Sequence, residues 1–336
     1  MAVITSNVLT FTDMATRLGP NNEFTPIIEL LNESNPILED MPWLEGNLPT
    51  GHQSTVRTGI PEPTWRKINN GVAPGKSETS QITDTCGLLE ANSQIDIELA
   101  KLNNMSAQFR LSEDVAQLEG MNQALARNLF YGDITVNPER IQGFESRYNT
   151  LNVVTAKSAE NVLNGAVSGS SATDLTSIWL IGWGSNTIHG IYPKGSKYGI
   201  EVDKGDGKPV RVTDSEGKPF RAYITTYTWK PGLCVRDWRY AVRICNLSIA
   251  NLSASSGAAS LIDLMSEAED LIPNINMCKP VFYAHKKVVT ALRKQLRDKN
   301  NVNLTLETAA GKKVVSFDGI PVRKCDALSI TELRVA

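Results

Sequence analysis

No apolar run in this chain approaches 18 residues, so nothing in it reads as a membrane-spanning helix, and no membrane partner is expected. The opening MAVITSNVLTFTDM has neither a basic start nor a long apolar stretch, so it does not read as a secretory signal. The N-x-S/T triplets at Asn104, Asn246, Asn251 and Asn303 therefore carry no meaning as glycosylation sites. Cysteine is scarce. The five (Cys86, Cys234, Cys245, Cys278, Cys325) are odd in number and widely spaced, with no C-x-x-C, and are expected to be reduced, mostly buried thiols. Histidine is scarcer still: His52, His189 and His285 share no metal-ligand spacing with one another or with any cysteine, so no metal is expected. Charge of one sign is also missing. A net charge of −2 gives no overall electrostatic reason to bind nucleic acid or an anionic membrane.

Sequence signatures of catalysis are absent in the same way. There is no G-x-S-x-G, H-E-x-x-H or EF-hand pattern. The stretch Gly71-Val72-Ala73-Pro74-Gly75-Lys76-Ser77 places three residues between its glycines, where a phosphate loop needs four, and Pro74 removes a backbone donor from the cradle. Gly182-Trp183-Gly184 lacks the third glycine of a dinucleotide fingerprint. Carboxylates such as Glu267 and Asp270 lie on the polar face of a helix, where solvated charge is the ordinary reading. No cofactor, no catalytic residue and no enzymatic activity are expected.

What is present is a folded chain: 41% hydrophobic and 21% charged residues exclude disorder, and 336 residues suffice for about two domains. Ser112 to Gly132 is the most regular stretch. Val115, Leu118, Met121, Leu125 and Leu129 fall three or four apart, with Ser112 as N-cap and Gly132 as a left-handed stop. Gly120 inside it costs about 1 kcal/mol relative to Ala. On pattern alone this is a core helix.

Upstream, residues 1–50 read as an extended arm. Their apolar patches are broken by Pro20, Pro26, Pro36 and Pro42, too short for a core, so they are expected to pack on a neighbouring subunit. The arm is acidic, with Asp13, Glu23, Glu29, Glu33, Glu39, Asp40 and Glu45 against Arg17. Gly51 to Cys86 is polar and rich in Gly and Pro, with strands expected over Gln53–Ile60 and Glu78–Cys86. Two strands alone bury too little to be stable in water, and loops this long are usually functional. Arg57, Arg66, Lys67 and Lys76 against Glu62 and Glu78 make it basic, and Trp65 is its one aromatic.

Ile95, Ile97 and Leu99 alternate with polar neighbours as a half-buried strand leading to the helix. Val153 to Thr173 reads as weak helix plus loop, and Ser177 to Gly182 as a buried strand. Tyr198–Val202, Pro209–Thr213 and Pro219–Trp229 suggest a meander, and Leu233 to Ile249 a continuing strand. Ser260 is expected to cap a helix with Leu261, Leu264, Met265, Ala268, Leu271 and Ile272 on one face, and His285 to Lys299 forms another. Lys312 to Val335 is strand-like, with a turn at Asp318-Gly319. The class is α+β.

The order of these segments resembles the major capsid proteins of tailed bacteriophages with the HK97-type fold, nearest to the coat proteins of short-tailed, epsilon15-like phages. The likeness lies in LEGMNQALARNLFYGD, in SIWLIGWGSNTIHGIYPKGSKYGIEV, in TWKPGLCVRDWRYAVRICNLSIANL and in the closing FDGIPVRKCDALSITE. It implies an N-terminal arm (1–50), an E-loop hairpin (51–90), a P-domain (91–150, 225–255 and 319–336) with spine helix 112–131, and an A-domain (151–224 and 256–318). It implies a coat subunit that assembles through hexamers and pentamers into an icosahedral shell around double-stranded DNA. The shell would be built in the host cytoplasm and retained in the virion. The partners implied are the chain itself, scaffolding, portal and decoration proteins, and packaged DNA by weak non-specific contact. The chain opens at the arm, which implies a separate scaffolding protein. Intersubunit contact is expected from Arg57, Trp65, Arg66, Lys67 and Lys76 in the loop, and from Glu29, Glu33, Glu39 and Asp40 in the arm. No local carboxylate marks a Lys–Asn cross-link, so none is expected. Two other readings remain open: a carbohydrate-binding or hydrolytic protein using Trp183, Trp229 and Trp238, and a DNA binder. The second rests on 284–324, where ten Lys/Arg meet three Asp/Glu.

Overall fold

The computed structural model describes residues 33–101, 106–166, 173–213, 216–252, 255–295, 304–309 and 312–336. Most of the arm, Glu29 included, lies outside them. In chain order the elements begin with helix α1 (Ile37–Asp40), strand β1 (Trp43–Glu45), and the long pair β2 (Gly51–Gly59) and β3 (Glu78–Thr85). Strand β4 (Leu89–Asp96), helix α2 (Ile97–Lys101) and the 26-residue helix α3 (Ser106–Tyr131) follow. Next come β5 (Val162–Asn164), β6 (Leu175–Trp183), β7 (Ile188–Tyr192), β8 (Ile200–Asp203), β9 (Val210–Thr213) and β10 (Pro219–Trp229). The chain continues through β11 (Gly232–Val235), β12 (Ala241–Ser248), α4 (Ile249–Leu252) and α5 (Ser255–Asp270). It closes with β13 (Lys279–Ala284), α6 (Lys286–Gln295), β14 (Leu304–Ala309), β15 (Lys312–Phe317) and β16 (Ile320–Lys324).

Strand β6 lies at the centre of the larger sheet. All nine of its residues are buried, as a strand covered on both faces must be, and it takes β12 on one edge and β13 on the other. The sheet runs β1-β7-β6-β13-β16-β15-β14, with β11 on β7 and β5 on β12. Helix α3 packs its last turns over this core through Leu125, Ala126, Leu129 and Phe130, with Met121 buried one turn earlier. A smaller sheet is built on β10. Strand β4 pairs with it from Ala222 to Trp229, while β9 and β8 lie end to end along its opposite edge.

Several expectations are corrected here. Helix α3 starts at Ser106, so Ser112 is interior and not a cap: Ala107 to Leu111 contain no helix breaker. The apolar stripe is covered only from Met121 on; Val115 is 43% exposed. Gly132 does not adopt a left-handed conformation. Its N–H still donates to Asn128 O at 2.8 Å, and a Cβ there would meet the Ile141 carbonyl oxygen at 2.3 Å, so the glycine admits a close backbone approach. At Gly120 an added Cβ meets nothing within 4 Å, which removes it as a close-packing point.

The strand expected through Leu99 ends at Asp96, whose Oδ1 accepts from the Glu98 N–H at 2.8 Å and starts α2. Leu99 and Ala100 are then buried beside Ile95 and Tyr223 in a small second core. The weak helix in 153–173 is a 3-10 turn followed by β5. The meander is absent, because β8 and β9 share one edge of the 11-residue β10. Leu233 to Ile249 breaks into β11 and β12 at a 3-10 turn, where Asp237 Oδ1 accepts from Arg239 N at 3.1 Å. Helix α5 begins at Ser255, so Ser260 is internal. The strands divide between the two sheets: β8 and β9 join β4 and β10, whereas β12 and β16 join β6 and β13.

The stretch 33–50, assigned to the arm, enters the body of its own chain. Ile37 and Met41 are buried in the main core, and β1 pairs in parallel with β7. Pro36 starts α1 and leaves Ile37 facing inward, so these apolar residues have no neighbour to wait for.

Candidate intersubunit surface

Strands β2 and β3 pair antiparallel from Gly51↔Thr85 to Gly59↔Glu78, with one irregularity after Arg57. Along β3 only Asp84 is buried. The ribbon therefore projects with nearly all of β3 in solvent, while β2 is buried at Gly51 and His52 and half-buried over much of its length, and residues 60–77 beyond it are exposed throughout. Trp65 at 103% relative exposure and Ile68 at 92% touch no core, which is unusual for two large apolar side chains three residues apart. A local turn shapes this tip: Arg66 Nε donates to Asn70 O at 2.7 Å, and Asn70 N to Lys67 O at 3.2 Å.

The expected loop residues are thus brought together. Trp65, Arg66 and Lys67 share the tip, while Arg57 and Lys76 lie further down the ribbon, all exposed. The acidic set is not. Glu39 is exposed and Glu33 is half-buried, its N–H donating to Glu119 Oε1 at 3.1 Å. Asp40 is committed within its own chain: Oδ1 pairs with Arg323 Nη2 at 3.0 Å and Oδ2 accepts from Tyr283 OH at 2.7 Å. Burial raises its pKa, opposed by those two partners.

The root of the ribbon is a polar joint invisible in the sequence. Asp84 accepts from Arg147 Nη2 at 2.7 Å and from Val235 N at 3.3 Å. His52 Nε2 lies 3.0 Å from Arg236 Nη2, and the His52 and His189 rings meet edge-on, 6.1 Å between centroids. Burial, then the Arg236 guanidinium, pushes the His189 pKa down to about 4 and lowers that of His52. Nearby Cys234 is pushed up to about 12 by burial and by Asp84, so it stays a thiol. These groups come from five separate segments, and no spacing betrays them.

A second unpredicted network fastens the C-terminal segment. Arg243 is fully buried on β12, its guanidinium 5.2 Å from the Trp179 ring centre. Its Nη2 meets Glu332 Oε2 and Glu145 Oε1, each at 3.0 Å; its Nε donates to Ser177 Oγ at 3.1 Å and its Nη1 to Tyr148 O at 2.9 Å. Ser177 also donates to Glu332, and Tyr131 OH donates to its other oxygen at 2.6 Å. Burial, and then the Glu332 charge, raises the Tyr131 pKa far above its usual value.

The geometry weighs against the two other readings. Trp183 is in the core, its Nε1 donating to Tyr283 OH at 2.9 Å, and Trp229 and Trp238 are half-buried against that core, so these three do not form a sugar-stacking platform. The basic stretch divides: Arg323 pairs with Asp40 and Lys324 with Asp326, and of its other side chains among the described residues Lys286, Lys287, Arg293 and Lys294 are exposed on α6. Among the described residues no three His, Cys, Asp or Glu side chains are grouped as metal ligands.

Phage capsid proteins share the family and the fold of this chain. The family model "Major capsid protein GP7" matches residues 19–336. The coat subunit of bacteriophage epsilon15 is 35% identical, with a TM-score of 0.76 over 100% of this chain and 99% of that one. The capsid protein of bacteriophage JBD30 aligns over 89% of this chain and 93% of its own, at 10% identity and a TM-score of 0.48. No curated protein matches. The α+β architecture is that of the HK97-type capsid fold, and the chain belongs to the GP7 family of phage major capsid proteins.

Proposed function

We propose that this subunit, a coat protein of a phage shell, assembles through hexamers and pentamers into an icosahedral container for double-stranded DNA. The ribbon β2–β3 acts as the E-loop that reaches over a neighbour. One observation carries this reading: a nine-residue strand and its eight-residue partner run out from a rooted base to an exposed tip that carries Trp65 and Ile68. An isolated ribbon gains its stability from what it lies on. Heterologous contacts of this kind close into rings, and many weak ones together hold a shell. Arg57, Arg66, Lys67 and Lys76 then set register against acidic surface of the neighbour, with Glu29, Glu33 and Glu39 of the arm on the complementary side. Scaffolding, portal and decoration proteins complete the particle, built in the host cytoplasm, and exposed Lys286, Lys287, Arg293 and Lys294 are the residues available for weak contact with packaged DNA.

Negative-stain microscopy of the purified protein, alone and with its scaffolding partner, tests the reading. Uniform polyhedral shells are expected. A subunit that stays monomeric under every condition in which its scaffold is present would overturn it.

A further inference from the structure

The knob at the ribbon tip has a matching socket elsewhere on the same chain. A groove of about 450 Å³ opens between the last turns of α3 and the start of β4. Its floor and walls are Leu88, Leu89, Ala124, Leu125, Ile141 and Pro231, and Leu88 stays 60% exposed although it lines an apolar recess. Arg127, Glu139 and Arg140 form the rim. An apolar recess with a polar charged rim is the anatomy of an anchor site, where one aromatic side chain is desolvated and water is kept out around it.

We propose that this groove receives Trp65 of a second copy of the chain, with Ile68 packing beside the indole. The inference rests on the coat-subunit reading above and names the surface on which the ribbon lands. Three observations select this occupant. Trp65 is fully exposed on a turn ordered by the Arg66–Asn70 and Lys67–Asn70 hydrogen bonds, so its indole is free to enter a recess on another molecule. The groove begins at Gly87, two residues past the end of β3, so it lies at the foot of the ribbon. The eight residues of β3 alone carry the chain about 26 Å away at about 3.3 Å per residue. Knob and socket of one chain are therefore held apart by the length of the ribbon, and a knob can be satisfied only by the next copy's socket. Such a contact is heterologous, and repeated around an axis it makes a ring. On the rim, the guanidinium of Arg127 or Arg140 can lie against the indole face, and Glu139 supplies the one carboxylate for Arg66 or Lys67.

The test replaces each half separately and asks whether they are coupled. Trp65→Ala removes the knob, and Ala124→Trp fills the socket. Each is expected to raise the critical concentration for shell formation by at least about tenfold, and the double variant by no more than the worse single one. Near-UV circular dichroism of the unassembled variants checks that they fold. In parallel, a photo-crosslinking phenylalanine derivative at position 65, in shells grown from mixed light and heavy isotope-labelled chains, is expected to mark 87–89 or 124–141 of a different chain. Shells that form normally from both variants, additive effects of the two, or cross-links that map elsewhere would each overturn the socket and leave the coat-subunit reading standing. A wild-type chain that forms no shells would remove that reading itself.

Discussion

Replacing Arg243 by Met should cost about 4 kcal/mol of subunit stability, and replacing Glu332 by Gln as well should restore much of it. Arg243 is completely buried, and its two acidic partners differ: the side chain of Glu332 is 3% exposed, that of Glu145 31%. Without the guanidinium Glu145 can turn to water, so its loss is small. Glu332 cannot, and it keeps only the Tyr131 and Ser177 hydroxyls. Removing one partner of a buried pair costs about 3–5 kcal/mol because the other charge is stranded. The two remaining hydrogen bonds hold the figure near the middle of that range. In the double variant the stranded charge is gone, so the penalties are not additive; a coupling of about 2 kcal/mol is expected. Urea unfolding of the unassembled subunit at neutral pH, with unchanged m-values as a check on the two-state analysis, measures all four corners of the cycle. A loss below about 1 kcal/mol in the single variant, or strictly additive effects, would refute the stranded-charge argument.

Three further outcomes follow from the same geometry. The folded-state pKa of His189, at about 4, lies below the ordinary value, so the neutral ring favours folding fully above about pH 6.5, and that advantage is lost as pH falls from there towards 4. Protection factors of amides at the ribbon root, corrected for intrinsic exchange, should fall across that window, and His189→Gln should flatten the dependence; a flat wild-type profile would count against it. Gly132→Ala should destabilise by about 2 kcal/mol or more, because its Cβ would meet backbone oxygens at 2.3 and 2.6 Å, whereas Gly120→Ala, in open space on the same helix, should stabilise by about 1 kcal/mol. Thermal unfolding of the pair settles the sign of each. Cys234 should resist maleimide at pH 8 in the folded subunit, since its thiol is buried and pushed up to about 12, and should react once urea opens the ribbon root.

Much of the fold was legible in the residues because it follows from local periodicity. The largely apolar β6, the stripe from Met121 to Leu129, the two long strands of the ribbon and the basic, tryptophan-bearing tip can all be read off spacing, since alternation and 3.6-residue repeats are properties of the chain itself. The absence of motifs for catalysis was equally local. Tertiary structure decided the rest. Whether Asp40 is a free acidic contact or the partner of Arg323 depends on a strand 283 positions away, which no local pattern encodes. The root of the ribbon joins His52, Asp84, Arg147, His189 and Arg236, and the C-terminal clamp joins Arg243 to Glu332 across 89 positions. Gly132 illustrates the difference: a glycine after a helix suggests a left-handed stop, yet here a carbonyl from the following loop occupies the space. Local sequence sets which conformations are cheap. Burial and close approach, which come only from segments distant along the chain, choose among them.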